Sequence, residues 1–176
     1  MPTNVPDRAD VVIVGGGIAG CSIAYHLGKI GITDVVVCER KQLTCGTTWH
    51  AAGLVTQLRA NRRMTELAYY TGQLCRELEE ETGLATGFLQ RGSLRVATNE
   101  ARLEELARGA SMGRNFGLPV EKVTPEQIQS KWKPINLDQI VGGFWFPEDG
   151  QVNPVDLTMA YAKGARQKGV RFFEGT

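Results

Sequence analysis

The stretch ADVVIVGGGIAGCSIAYHLGKIGITDVVVCER, residues 9–40, decides the fold. Val11, Val12, Ile13 and Val14 form a short run of β-branched residues, long enough for a buried strand and too short for a buried helix. Gly15, Gly17 and Gly20 follow at the spacing G-x-G-x-x-G. The first glycine suits a tight turn, the second a close approach of backbone to a pyrophosphate, and the third close packing of helix on strand. From Ile18 to Ile30 the apolar positions Ile23, Leu27 and Ile30 recur at helical spacing, and the turn at Gly31 leads into a second apolar run, Val35 to Val37. That run ends in Glu39, an acidic residue about 20 positions beyond the glycines, where a carboxylate takes a ribose hydroxyl. Glycines alone serve many turns. Strand, glycine turn, helix, strand and acid in register point together to dinucleotide binding by a doubly wound α/β domain.

Composition narrows the class. A chain of 176 residues with 42% hydrophobic content can bury one sizeable core. Its longest apolar run falls far short of the roughly 20 residues that span a bilayer, and residues 1–8 read as neither a secretory nor an Arg-rich leader. A soluble protein without a membrane span and with a cytoplasmic start is therefore expected. A net charge of +1, with both signs scattered, gives no electrostatic footprint for nucleic acid. Cys21, Cys38, Cys45 and Cys75 lack C-x-x-C spacing, so they read as reduced thiols that fill space, with no metal site.

Residues 40–59, RKQLTCGTTWHAAGLVTQLR, lie just past the second strand, on the carboxyl-end side where open α/β sheets bind ligands. Small residues and hydroxyls suit backbone that lies along a ligand. A plain loop leading to a helix capped by Thr47 or Thr48 is the structural alternative. From Thr65 to Thr82, Leu67, Tyr70, Leu74 and Leu78 trace one helix face, ended by Gly83. Residues 88–98, FLQRGSLRVAT, then alternate Leu94 and Val96 with Ser93, Arg95 and Ala97, the mark of a half-exposed antiparallel sheet. A helix carries Leu103, Leu106 and Ala110, and Thr124, Pro125 and Gln127 start another. Residues 140–152, IVGGFWFPEDGQV, read as two short strands about a turn at Glu148, Asp149 and Gly150, with Phe144, Trp145 and Phe146 on an apolar core face. Asn153 and Pro154 open a helix with Leu157, Ala160, Tyr161 and Ala165 inward; Gly169 ends it, and Val170 to Phe173 return as the third parallel strand. The domain reading is 1–84 as the first part of a nucleotide domain, 85–152 as part of a second, antiparallel α+β domain, and 153–176 as the return, the whole being incomplete.

VVIVGGGIAG at 11–20, LTCGTTWHAAGLVTQLR at 43–59, RELEEETGLATGF at 76–88 and FPEDGQVNPVDL at 146–157 resemble the FAD-dependent amine dehydrogenases that include sarcosine and dimethylglycine dehydrogenase. The resemblance covers nearly the whole chain as an amino-terminal segment, and TTWHAAGL is its most specific part. It implies a Rossmann-like FAD-binding domain of the D-amino-acid-oxidase kind, interrupted by part of a substrate domain. It implies that Gly15, Gly17, Ile18, Ala19 and Gly20 meet the pyrophosphate, and that Glu39 and Arg40 hold the adenosine ribose. It further implies that Gly46, Thr47, Thr48, His50, Ala51, Ala52, Gly53 and Leu54 run along the cofactor, with FAD joined covalently to His50. The implied reaction is oxidative demethylation of a small-molecule N-methyl amine, with hydride passing to flavin N5. The iminium product is then hydrolysed, or its one-carbon unit goes to tetrahydrofolate through a C-terminal domain. No general acid or base is expected in this chain, and the electron acceptor is not legible. The absence of a leader suggests a bacterial-type cytoplasmic protein, with the mitochondrial matrix as the alternative. Two rival readings stay open: a non-catalytic relative resembling the regulatory subunit of pyruvate dehydrogenase phosphatase, and a noncovalent FAD amino-acid oxidase.

Overall fold

A computed structural model describes residues 5–176. Residues 1–4, where the stretch read above for a leader begins, lie outside the described residues. In chain order the elements are β1 (Val11–Val14), α1 (Ile18–Lys29), β2 (Val35–Glu39), a 3-10 turn (Thr47–His50), β3 (Leu54–Val55), α2 (Arg62–Thr82), β4 (Ser93–Ala97), α3 (Glu100–Asn115), β5 (Glu121–Val123), α4 (Pro125–Lys131), β6 (Gly142–Phe146), β7 (Gly150–Gln151), α5 (Pro154–Gln167) and β8 (Arg171–Glu174). The chain divides into two compact units, one of residues 1–53, 74–88 and 152–176 and the other of 54–73 and 89–151. The second unit thus begins earlier than the boundary at 85 read from the sequence, because residues 54–73 belong with it. No described helix is long and apolar enough to cross a membrane.

In the first unit a parallel sheet runs in the order β1-β2-β8, with Val12 opposite Val36 and Val37 opposite Phe172. The helix–glycine–strand pattern at 153–173 therefore does return as a third parallel strand. Strand β2 lies between the other two, and its residues Val35, Val36 and Val37 are buried. Strand β1 is at an edge, with Val14 88% exposed. Helix α1 packs on α5. The buried face of α1 is Gly20, Cys21, Ala24, Tyr25 and Gly28, whereas Ile23 and Ile30, placed on the apolar stripe from the sequence, are exposed. Close helix packing is the cause: a side chain on Gly28 would fall 2.9 Å from Lys168 Cβ, and one on Gly164 2.9 Å from the Tyr25 ring. Small residues let the two helices approach, and the large ones take the outside. The Tyr25 hydroxyl, carried into this core, donates to Glu81 at 2.5 Å.

Helix α2 is shared, its first part in the second unit and its last part, from Leu74, in the first. Its buried residues are Thr65, Ala68, Gly72, Leu74, Cys75, Leu78 and Thr82. Leu67, read as inward, is exposed, since the buried stripe begins at Thr65 and Ala68 instead. Gly83 adopts φ +66° and ends the helix as expected.

In the second unit β6 pairs antiparallel with β4 on one side and β5 on the other. Helix α3 packs on this sheet, closing a core of Leu58, Ala97, Leu106, Ala110, Leu118, Val120, Phe144 and Phe146. The alternation at 93–97 and the apolar role of Phe144 and Phe146 are as read. Thr124 and Gln127 form the reciprocal capping box at the start of α4. The turn after Phe146 does not close a hairpin. Strand β7 pairs instead with β3, and between β6 and β7 the carboxylate of Asp149, 2% exposed, accepts from the Gln57 amide at 2.8 Å and from the Ser93 hydroxyl at 2.5 Å. Asp149 thus ties the start of β4, at Ser93, to the segment that follows β3, at Gln57.

Candidate cofactor site

The glycine turn follows β1 within the first unit. Gly15 stands at φ +106°, a conformation that costs an L side chain and not glycine, and its amide donates to Cys38 O at 2.8 Å. A Cβ on Gly20 would lie 2.0 Å from Gly15 O, so the third glycine is what lets α1 start this close to the turn. The middle residue Gly16, passed over in the sequence, is as constrained. Its Cβ would meet Leu43 Cδ2 at 2.3 Å and Glu39 Cβ at 3.1 Å, and its amide donates to Glu39 Oε2 at 2.8 Å. Only its place inside the Gly15–Gly17 run could have signalled this. Cys21 donates weakly to Gly16 O at 3.6 Å; burial pushes its thiol up to about 12, so it stays neutral.

Glu39 ends β2 beside this turn. The amides of Gly16 and Lys41 donate to its carboxylate and hold its pKa below the ordinary 4.5, with Arg40 adding a smaller push in the same direction. An ionised carboxylate accepts only, with about four lone-pair positions, and Glu39 spends them on the Gly16 amide, the Lys41 amide at 2.9 Å and the Cys45 thiol at 3.9 Å. Capacity remains for a hydroxyl donor. Arg40 is exposed next to it. The loop from β2 is folded back, with Thr44 donating its amide to Gly16 O at 3.1 Å. Thr44 itself takes φ +71°, a strained conformation for a β-branched residue that nothing in the sequence signals.

Residues 46–53 complete the site. Gly46 is exposed and precedes the 3-10 turn, in which Thr47 is exposed and Thr48 buried. Neither threonine caps that turn. Thr48 Oγ1 instead accepts from the Ile18 amide at 3.0 Å and would lie 3.0 Å from a Cβ on Gly17. It thereby serves one of the backbone donors that the first turn of α1 cannot satisfy internally, a turn that Gly17 opens without a side-chain cap. Ala19, on the same first turn, is exposed. The result ties the TTWH segment to the glycine turn 30 residues earlier. Trp49 and His50 end the 3-10 turn with their rings 3.8 Å apart, centre to centre, and inclined by 32°; both are exposed. Ala51 donates to Thr48 O at 3.1 Å and has an extended backbone, and Ala51 and Ala52 are exposed. Gly53 adopts φ +70°, where a Cβ would fall 2.2 Å from Val152 O. Leu54 opens β3 in the second unit and is 68% exposed.

Gly15, Gly17, Ile18, Ala19, Gly20, Glu39 and Thr48 therefore meet at one end of the parallel sheet, and Thr48 sets His50 two residues beyond. A helix N-terminus with glycines against it can take a phosphate, an ionised carboxylate at the next strand can accept from ribose hydroxyls, and the imidazole is exposed. Among the described residues no group of three His, Cys, Asp or Glu side chains could hold a metal ion.

Residues 10–176 match the family model of the FAD dependent oxidoreductases, DAO. The chain is 40% identical over 171 residues to human (Homo sapiens) mitochondrial sarcosine dehydrogenase, covering 97% of this chain and 19% of that protein. It is 42% identical to rat (Rattus norvegicus) mitochondrial dimethylglycine dehydrogenase, over 96% of this chain and 20% of the relative. It is also 37% identical to the mitochondrial pyruvate dehydrogenase phosphatase regulatory subunit of mouse (Mus musculus), over 98% of this chain and 20% of the relative. Among solved structures, L-proline dehydrogenase from P. horikoshii superposes with a TM-score of 0.90 at 26% identity, over 97% of this chain and 45% of that one. The chain thus spans about one fifth of the length of these curated relatives. Sequence match and superposition agree with the glycine turn, acid and parallel sheet described above, and the chain belongs to the DAO family of FAD-dependent oxidoreductases.

Proposed function

We propose that this protein oxidises an N-methyl amino acid, sarcosine or dimethylglycine, with FAD, and that the first unit is part of the FAD-binding domain and the second part of the substrate domain. The observation that carries the reading is the hydrogen bond from the Ile18 amide to Thr48 Oγ1, which couples the dinucleotide turn to the segment bearing His50. Gly15, Gly17, Ile18, Ala19 and Gly20 hold the pyrophosphate. Glu39, with Arg40 beside it, holds the adenosine ribose. Gly46, Thr47, Thr48, Ala51, Ala52, Gly53 and Leu54 follow the cofactor, and the His50 ring carries it covalently at the 8α-carbon. The cradle fits: glycine stands wherever a Cβ would strike backbone or neighbour at the turn, and the His50 ring is exposed and available. FAD supplies hydride acceptance at N5, and the protein supplies position and charge. The iminium product is hydrolysed or gives its one-carbon unit to tetrahydrofolate. A reducing compartment, the bacterial cytoplasm or the mitochondrial matrix, suits the free cysteines.

A second reading, a non-catalytic relative, is favoured by the identity to the regulatory subunit. Retention of TTWH argues against it, since a protein without bound flavin has no use for that histidine. Turnover decides between them. The full-length protein should reduce an artificial electron acceptor with sarcosine or dimethylglycine and not with glycine. Failure with every N-methyl amine, in protein that holds FAD, would refute the enzymatic reading.

A further inference from the structure

We infer that Trp49 is a positioning residue: its indole sets the plane of the His50 imidazole and so governs how efficiently His50 becomes joined to the flavin. The inference rests on the proposed covalent attachment at His50. Three features of the structure carry it. The indole and imidazole rings lie 3.8 Å apart with only 32° between their planes, close to face-to-face. Trp49 is 59% exposed, so its bulk is not there to fill the core of the unit. No side-chain hydrogen bond holds the imidazole among the described residues, and the indole is the aromatic ring that lies against it. The backbone beneath is already fixed, by Thr48 Oγ1 on the Ile18 amide at 3.0 Å and by the Ala51 amide on Thr48 O at 3.1 Å. Backbone anchoring places the His50 Cα, and an imidazole on a fixed Cα still turns about two side-chain torsions. The stacked indole restricts both.

Orientation matters because the linkage forms one bond in a defined direction. The unprotonated ring nitrogen of His50 bonds to the 8α-carbon as a C–H bond there breaks. That carbon's proton and the imidazole N–H proton are released, and the two electrons remain on the isoalloxazine until dioxygen removes them as hydrogen peroxide. A nucleophile displaced or rotated from its line of approach loses on the order of 100-fold in rate.

The test is made on full-length protein, expressed as apoprotein and mixed with FAD. Covalent attachment is followed by the flavin fluorescence that remains on the denatured chain, and total binding by the FAD retained before denaturation. Trp49→Ala should bind FAD and attach it about 10- to 100-fold more slowly. Trp49→Phe, which keeps an aromatic face, should recover most of the rate, and Trp49→Leu, which keeps bulk without a stacking plane, should not. Attachment by Trp49→Ala at the wild-type rate overturns the inference, as does equal rescue by Leu and Phe. Fluorescence surviving in His50→Ala instead refutes attachment at His50, and the role of Trp49 falls with it.

Discussion

Gly20→Ala is the substitution in which helix propensity and packing oppose each other most sharply. Position 20 lies inside α1, where alanine is intrinsically preferred to glycine by about 0.8–1.0 kcal/mol. Against that, the new methyl would stand 2.0 Å from Gly15 O, 3.2 Å from Gly15 C and 3.3 Å from Ile13 Cγ2. A carbon–oxygen contact relaxes to about 3.3 Å, so helix and turn must separate by roughly 1 Å. The obstacle is backbone, and no rotamer change relieves it. Gly15 is itself held by φ +106° and by its amide bond to Cys38 O, a bond worth about 0.5–1.5 kcal/mol that separation endangers. Overpacking costs about 1–3 kcal/mol. With the propensity gain offsetting the hydrogen bond, the net expectation is a loss of about 1–3 kcal/mol. The assay is urea unfolding at equilibrium, with FAD titration alongside; affinity should fall because the amides at the start of α1 move. Gly109→Ala is the control. It sits inside α3 with Leu58 Cδ2, at 4.0 Å, as its nearest neighbour, so the same substitution should stabilise by about 0.5–1 kcal/mol. An unfolding midpoint for Gly20→Ala at or above wild type, with FAD affinity intact, would show that the close approach of helix to turn has no energetic weight.

Three further outcomes follow from single groups. Glu39 has a folded-state pKa below its ordinary 4.5, so its contribution to stability is present above that value and is lost as the pH falls through the folded one. Glu39→Gln should be less stable at pH 7 and show a shallower acid limb in stability against pH; an unchanged limb would mean that the Gly16 and Lys41 amides do not favour the carboxylate. Tyr25→Phe removes the 2.5 Å bond to Glu81 from a fully buried ring and should cost about 1 kcal/mol in urea unfolding, whereas a neutral result would assign that contact no weight. Asp149→Asn presents an N–H to a site that holds two donors, the Gln57 amide and the Ser93 hydroxyl. It should cost about 1.5–3 kcal/mol in urea unfolding, and a midpoint equal to wild type would show that the buried carboxylate's link between Gln57 and Ser93 has no energetic weight.

Local patterns were legible in proportion to how local their physics is. The glycine turn, Glu39, the Gly83 and Gly169 helix ends and the capping box at Thr124 each depend on a few neighbouring residues, and each stands where its pattern indicated. Periodicity misled where packing distance mattered more than side-chain size. In α1 it pointed to Ile23 and Ile30, while the structure buries Gly20, Ala24 and Gly28. In α2 it pointed to Leu67, although the helix passes from one unit to the other and its buried stripe starts from Thr65 and Ala68.

By itself the sequence determined a parallel α/β unit with a dinucleotide turn and an antiparallel excursion, because strand and helix periods and glycine's access to positive φ act over a few residues. Only the tertiary structure decided that Thr48 caps α1 and not its own turn, that Gly16 belongs to the cradle as much as Gly15 or Gly17, and that β6 and β7 enter different sheets. It alone also fixed the angle at which Trp49 faces His50, neighbours whose ring orientation their order in the chain leaves free. Most of these are contacts made across tens of residues, and the ring angle is a torsional choice. The first kind is settled by how closely backbones approach when they pack and the second by which rotamers the packed ring pair adopts, and no local spacing records either.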